Sequence, residues 1–350
     1  MEPVRKLFDG YRLTKREYTE LLKLSADPQK TAWIKSEAVR VRKIYYGNKI
    51  FLRGLIEFTN YCKNNCYYCG IRRDNRNILR YRLSTEEILE CCRKGYELGF
   101  RSFVLQGGED PYFTDEKIVD IVRKIRFFWK DCAVTLSIGE KSRESFKRFR
   151  KAGAERYLLR QETADEAHYR KLHPQEMCLQ VRKQCLYDLK ELGYQTGAGF
   201  LVGSPGQTEE TLAEDLLFLE NLKPHMVGIG PFIPHHETKF AAEKAGSVQQ
   251  TLFLLALIRL MLPKVLLPAT TALLTLDASG RELAMEAGAN VLMPNISPFS
   301  KRKQYELYHK KLFTGAETAE GLQELKQQMK EAGWEIVTER GDFPEETDIN

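Results

Sequence analysis

The chemistry of this chain concentrates in Cys62-Lys63-Asn64-Asn65-Cys66-Tyr67-Tyr68-Cys69, three cysteines at Cys-x3-Cys-x2-Cys spacing. Thiols this close, in a chain with no disulfide framework, tend to share a metal. Three thiolates so spaced can wrap one iron–sulfur cube, each binding one iron, whereas such a cube normally takes four. The next cysteines, Cys91 and Cys92, fall on an expected helix. One iron would then be open to a ligand that is not protein. Zinc is the competing reading, but it wants four tetrahedral ligands, and the nearest histidine, His168, is far along the chain.

Composition narrows the setting. A chain of 350 residues suits one large domain or two small ones, and 43% apolar content is ample for a core. No apolar run is long enough for a bilayer, and Met1-Glu2-Pro3-Val4-Arg5 lacks the apolar stretch of a signal peptide. Eight unevenly spaced cysteines fit a reducing cytoplasm. The net charge of +6 is spread along the chain, so neither nucleic acid nor membrane is an expected partner.

The elements that must position the cysteines follow a regular order. Residues 1–48 read as a helical extension. Strands are expected at Phe51–Phe58, Ser102–Gln106, Ala133–Ser137, Arg156–Arg160, Thr196–Val202, Met226–Ile229, Val265–Leu267 and Asn290–Met293. Helices fill the gaps: one opens at Ser84 with a capping box, one follows the fourth strand to near Leu192, and others span Val248–Met261 and Gly280–Glu286. Eight such units point to an α/β fold, a (βα)8 TIM barrel over residues 49–310, with an open doubly wound sheet as the runner-up. Residues 311–350 read as a C-terminal helix, a short strand and a disordered acidic tail after Gly341.

Barrel enzymes keep their chemistry at the C-terminal ends of the strands. Gln106-Gly107-Gly108-Glu109 ends the second strand, as a plain turn or as a place for close ligand approach. Arg160 and Glu162 end the fourth; two apart, they would share a face, and ligand binding is favoured over an ion pair. The glycines about Gly199 and Gly203 lack a dinucleotide layout. Gly228-Ile229-Gly230 suits a ligand edge against backbone. Thr270-Thr271 offer hydroxyls at the mouth or a helix cap. His235-His236 read as exposed loop, and Cys91, Cys92, Cys132, Cys178 and Cys185 as packed thiols.

Taken together, the cysteine loop, Gly107-Gly108-Glu109 and Glu162 resemble the radical S-adenosylmethionine (SAM) enzymes. Within them, Arg80–Ser84, Val104–Tyr112, Arg156–Thr163, Met226–His235 and Pro268–Ala272 are similar to the HydE family of iron–iron hydrogenase maturases, from about Ile44 to Tyr308. The resemblance implies a 4Fe-4S cluster on Cys62, Cys66 and Cys69, whose open iron chelates SAM and whose electron breaks it to a 5′-deoxyadenosyl radical. It also implies that Tyr68 and Ile229 meet adenine, that Gln106, Gly107 and Gly108 meet the methionine end, and that Glu162 and Arg182 bind SAM. Thr135, Arg160, Thr270, Thr271, Met293, Tyr305 and Tyr308 would line the substrate cavity. The implied substrate is an iron–carbonyl–cyanide–cysteine species from HydG, the product passes to the scaffold HydF, and a ferredoxin or flavodoxin supplies electrons.

Some family members carry three more cysteines near the C-terminus, and residues 293–350 contain none. One cluster is therefore expected. Methylornithine synthase and biotin synthase share the barrel and cysteine loop and stand as rival activities. A non-catalytic cluster or zinc protein is the rival of another class, and it would leave Glu162 and Arg182 without a task.

Overall fold

The computed structural model describes residues 2–8, 10–313, 318 and 320–344. Its strands are β1 (Lys49–Leu52), β2 (Gly54–Thr59), β3 (Ser102–Gly107), β4 (Ala133–Ser137), β5 (Arg156–Leu158), β6 (Gln195–Ala198), β7 (Leu201–Val202), β8 (Met226–Val227), β9 (Gly230–Pro231), β10 (Val291–Leu292) and β11 (Glu335–Val337). A six-stranded sheet runs β2-β3-β4-β5-β6-β8, with smaller sheets β10-β1-β11 and β7-β9. Every one of these pairings is parallel. Parallel strands need crossover connections, and the helices supply them. Covered on both faces, such strands can be apolar throughout; every residue of β2 is buried.

Single parallel bridges extend the order further. Met226 pairs with Leu266, Pro268 with Val291, and Leu55 with Asn295. The expected seventh strand, Val265–Leu267, is no strand of its own but a short bridged stretch, with Leu266 bonded to His225 and Val227 and Leu267 accepting from Asn290 and Val291.

The expected boundaries shift where glycine, proline or charge intervenes. The run Phe51–Phe58 is two strands rather than one, because the chain leaves the small sheet at Arg53 and enters the large one at Gly54. A side chain at Gly54 would strike Ile296. The helix expected to run to Leu192 is two, Glu166–Leu172 and Leu179–Glu191. Pro174 explains the break, since a residue before proline is pushed out of helical geometry. A helix at Thr271–Leu276 is an addition. The capping box at Ser84 is present, with Ser84 Oγ accepting from Glu87 N and the Glu87 carboxylate accepting from Ser84 N.

Before β1, helix Pro28–Tyr46 packs on Val248–Met261, and Lys15–Leu22 packs on Glu209–Leu222. At the far end of the chain, β11 extends the small sheet beside β1. The tail expected to be free from Gly341 is anchored for at least its first residues. Asp342 Oδ1 accepts from Arg156 Nη2 at 2.7 Å, and Phe343 packs edge-on to His225. The reason is Arg156: fully buried at the start of β5, its charge needs a partner. Residues 345–350 lie outside the described residues.

Candidate active site

The three cysteines follow β2 on a loop that Arg80 holds in place. Arg80 Nη1 donates to Ile71 O (2.8 Å) and to Asn60 O, and Nη2 donates to Arg72 O (2.6 Å) and Asn75 O (3.0 Å). One guanidinium thus satisfies four carbonyls of an irregular segment that makes few ladder bonds of its own. Asn60 adds two bonds, to Leu79 O and Gln304 O. From the other side Gly70 N donates to Leu307 O at 2.8 Å.

Cys62, Cys66 and Cys69 line one wall of a cavity of about 360 Å³. Tyr68, Gln106, Gly107, Gly108, Arg160, Glu162, Arg182, Thr270, Thr271, Met293, Tyr305 and Tyr308 line it too. Two expected residues do not. Ile229 is wholly buried in the core, and its neighbours Gly228 and Gly230 face the cavity instead. Thr135 is buried in β4 with Oγ1 unbonded; the wall there is Ser137, one pleat on.

Burial raises all three thiols. Cys62 is pushed up, Cys66 well up, and Cys69 to about 12, burial leading in each and neighbouring Cys thiolates adding for Cys66 and Cys69. Such thiols stay protonated at neutral pH until a metal takes the proton's place. Among the described residues, no three Cys, His, Asp or Glu side chains gather round a single ion. Three thiols on one cavity wall are a donor set that suits an iron–sulfur cluster.

The glycine pair has a packing reason as well as its place on the cavity wall. A side chain at Gly108 would collide with Tyr61 O, and one at Gly107 would press on Thr59 and Phe58. Gly108 thus admits the cysteine loop and Gly107 the end of β2, and both also line the cavity. Gly228 is the contrary case: a Cβ there meets nothing within 4 Å. It leaves open cavity where a ligand edge can lie on backbone.

Arg160 and Glu162 do meet, at 3.1 Å, but strand alternation is not the cause. β5 stops at Leu158, and Glu162 has φ 67°, a left-handed conformation uncommon outside glycine. The turn is held by its neighbours. Gln161 Oε1 accepts from Gly199 N (2.9 Å), Asp215 Oδ1 from Ala164 N (2.6 Å), and Glu162 N donates to Gly199 O (3.1 Å). Glu162 Oε2 and Arg160 Nε are buried without a hydrogen bond. So is Thr270 Oγ1, which makes no cap bond to the helix it precedes. Of the two readings of that hydroxyl, the cavity prevails.

Arg182, from helix Leu179–Glu191, reaches Arg160 O (3.1 Å), Glu140 Oε1 (2.9 Å) and Glu109 Oε1 (3.8 Å). The Glu140 contact is close but poorly aligned, so Nε and Glu140 Oε1 keep unspent hydrogen-bonding capacity. Burial opposes the Arg182 charge, but Glu140, Tyr169 and Glu109 outweigh it. Burial raises Glu140, and Arg182 partly offsets this.

Sequence reasoning gave no role to Glu57, Glu109, Glu140, His173 or Lys311. His173 Nε2 lies 3.2 Å from Tyr68 Oη, and burial, then Arg182, lowers its pKa to about 3, so the ring is neutral. A charged residue inside the apolar run Leu55–Phe58 was the available signal for Glu57. His235 is buried against Gly70 rather than exposed, while His236 is in the open. Cys178 is exposed, and the other four remaining thiols are buried as expected. Cys185 contacts Lys141 O and Cys132 contacts Phe100 O, so the two do not converge.

Residues 56–219 match the family model described as the radical SAM superfamily. The chain is 49% identical, over 79% of its length and 78% of the relative's, to the [FeFe] hydrogenase maturase subunit HydE of Thermotoga maritima. It is 32% identical to 3-methylornithine synthase of Methanosarcina acetivorans, over 88% and 86% of the two chains. A solved structure of methylornithine synthase (PylB) superposes with TM-score 0.81 at 28% identity, over 96% and 97%. No helix among the described residues is long and apolar enough to cross a membrane.

Proposed function

This chain belongs to the radical SAM superfamily, as an enzyme of the HydE type, and we propose that it matures the active-site cluster of iron–iron hydrogenase. The carrying observation is that Cys62, Cys66 and Cys69 share one cavity with Glu162 and Arg182, whose buried Oε2 and Nε sit against Arg160 and Glu140 without an aligned hydrogen bond. When bound, one 4Fe-4S cluster on these thiols would supply the electron that breaks SAM into methionine and a 5′-deoxyadenosyl radical.

The protein's part is to bind, orient and exclude water. Arg182 would take the methionine carboxylate, exchanging its loose Glu140 contact for a bidentate one. Glu162 would receive the ribose or amino group, Tyr68 would lie against adenine with its hydroxyl held by His173, and Gly228 would give the edge of the nucleoside room. Gln106, Thr270, Thr271, Arg160, Met293, Tyr305 and Tyr308 would surround the second ligand, an organometallic iron–carbonyl–cyanide–cysteine species received from HydG and passed on to HydF. The bridges at Met226, Pro268 and Leu55 support reading the sheets as a closed (βα)8 barrel over residues 49–310, after a helical extension at 1–48 and before a C-terminal region at 311–350. The cytoplasm, with a ferredoxin or flavodoxin as reductant, is the setting this implies.

The methylornithine synthase relatives support a second reading, a carbon-skeleton rearrangement in the same cavity. Two assays separate the possibilities. Anaerobically reconstituted protein should bind about four irons per chain and, with dithionite, release 5′-deoxyadenosine from SAM; none from an intact cluster sinks the radical reading. Adding the protein to a maturation mixture that lacks only this component should restore hydrogenase activity. Formation of 3-methylornithine, with no such restoration, would favour the second reading.

A further inference from the structure

Reductive cleavage takes one electron per SAM, and that electron must reach the cysteine loop from outside. We propose that the exposed face built on residues 63–80, with Lys239 beside it, docks a small acidic electron-carrier protein; this rests on the radical SAM reading above.

The face is physically continuous with the thiols. Arg73 N donates to Asn64 O at 2.8 Å, Arg72 Nη1 to Asn65 Oδ1 at 2.9 Å, and Asn65 Nδ2 to Asp74 Oδ2 at 2.7 Å. The segment bearing the cations therefore lies directly on the residues between Cys62 and Cys66. Lys239 extends it, its Nζ 3.4 Å from the ring centre of Tyr67.

Its charge is lopsided. From Asn60 to Arg80 the chain carries Lys63, Arg72, Arg73, Arg76 and Arg80 against the single carboxylate Asp74, whereas the whole chain is nearly balanced at 54 basic and 48 acidic residues. Nearby carboxylates are partly engaged: Asp74 on Arg73 (3.1 Å), Glu237 on Asn77 (2.9 Å), and Glu176 more loosely at 3.9 Å from Arg73. Lys63, Arg73, Arg76 and Lys239 are exposed. On the same segment Leu79 is 71% exposed, an apolar side chain that a docked partner can cover.

A cationic surface beside a redox site steers an anionic carrier into productive encounter, and the steering fades with salt. The step is balanced by the two proteins: the carrier loses one electron, and the S–C bond of the sulfonium breaks as it gains it. A low-potential flavin or iron–sulfur protein with an acidic surface meets that need.

The test measures 5′-deoxyadenosine from the reconstituted full chain with two reductants, a reduced acidic flavodoxin and dithionite. Arg76→Glu and Lys239→Glu, separately, should raise the KM for flavodoxin by about tenfold at low salt and leave the dithionite rate unchanged. Added salt should slow the flavodoxin reaction of the wild type. An unchanged flavodoxin KM in both variants overturns the proposal. So does an equal loss with dithionite, which would mean these side chains shape the cysteine loop. No product with dithionite in the wild type would remove the radical reading, and the docking face with it.

Discussion

The carboxylate of Glu57 lies 2.6 Å from the ammonium of Lys311, with neither exposed by more than 9%. Asn295 Nδ2 donates to the second Glu57 oxygen at 2.7 Å. Glu57 interrupts the apolar run of β2, while Lys311 arrives from a segment that also brings Tyr305 and Tyr308 to the cavity. Lys310 has φ 58°, and such a turn persists only where its surroundings impose it. The pair ties the C-terminal segment across the cavity wall.

Removing one partner of a buried pair is costly because the other charge is stranded. Lys311→Met should therefore destabilise the fold by about 3–5 kcal/mol, and Lys311→Met with Glu57→Gln should recover most of that. Urea unfolding of the three proteins checks it. A single variant as stable as the wild type would show that the pair does not fasten the segment.

Arg182 and Glu162 should govern SAM affinity rather than cluster assembly. Lysine cannot reproduce a bidentate guanidinium contact. Arg182→Lys or Glu162→Ala should weaken SAM binding by about 1.5–3 kcal/mol, roughly ten- to a hundredfold, with the visible cluster absorbance intact. Equilibrium dialysis with labelled SAM gives the answer; wild-type affinity in both variants would place SAM elsewhere.

Two glycine substitutions should fail in opposite ways. At Gly108 an added methyl group meets Tyr61 O and Cys62 Cβ, so Gly108→Ala should shift the cysteine loop and lower iron content. At Gly228 it enters empty space, so Gly228→Ala should keep its iron and its melting temperature while binding SAM more weakly. Iron titration beside SAM binding distinguishes them, and matching behaviour in the two variants would contradict the geometry.

The Asp342–Arg156 pair sets an acid limit on stability. Burial works against the Asp342 carboxylate, but hydrogen bonds from Arg340 and the charge of Arg156 hold its folded pKa well below the ordinary 3.8. A carboxyl depressed on folding binds protons more readily in the unfolded chain. Its stabilisation is thus complete above about pH 4 and is lost as pH falls below it. Because Asp342 is 39% exposed, solvent screening reduces the pair to about 1 kcal/mol. Asp342→Asn should cost that much at pH 7 and nothing extra in acid, as thermal unfolding across pH would reveal; an undiminished acid loss in the variant would assign it to other carboxylates.

Much of this was legible in the sequence because it is local. Cys-x3-Cys-x2-Cys fixes which thiols can act together, the capping box at Ser84 marks its helix, and apolar runs placed most of the larger strands, since spacing and periodicity act over a few residues. Tertiary structure alone decided the rest. The left-handed turn of Glu162 is imposed by Gln161, Gly199 and Asp215 across two connections. The glycines at 107 and 108 answer to the end of β2 and the loop after it, nearly fifty residues away in the chain, a distance no local pattern encodes. The Glu57–Lys311 and Arg156–Asp342 pairs join residues whose separation hides them from any window. Burial is what makes each partner necessary, and burial is a property of the folded chain.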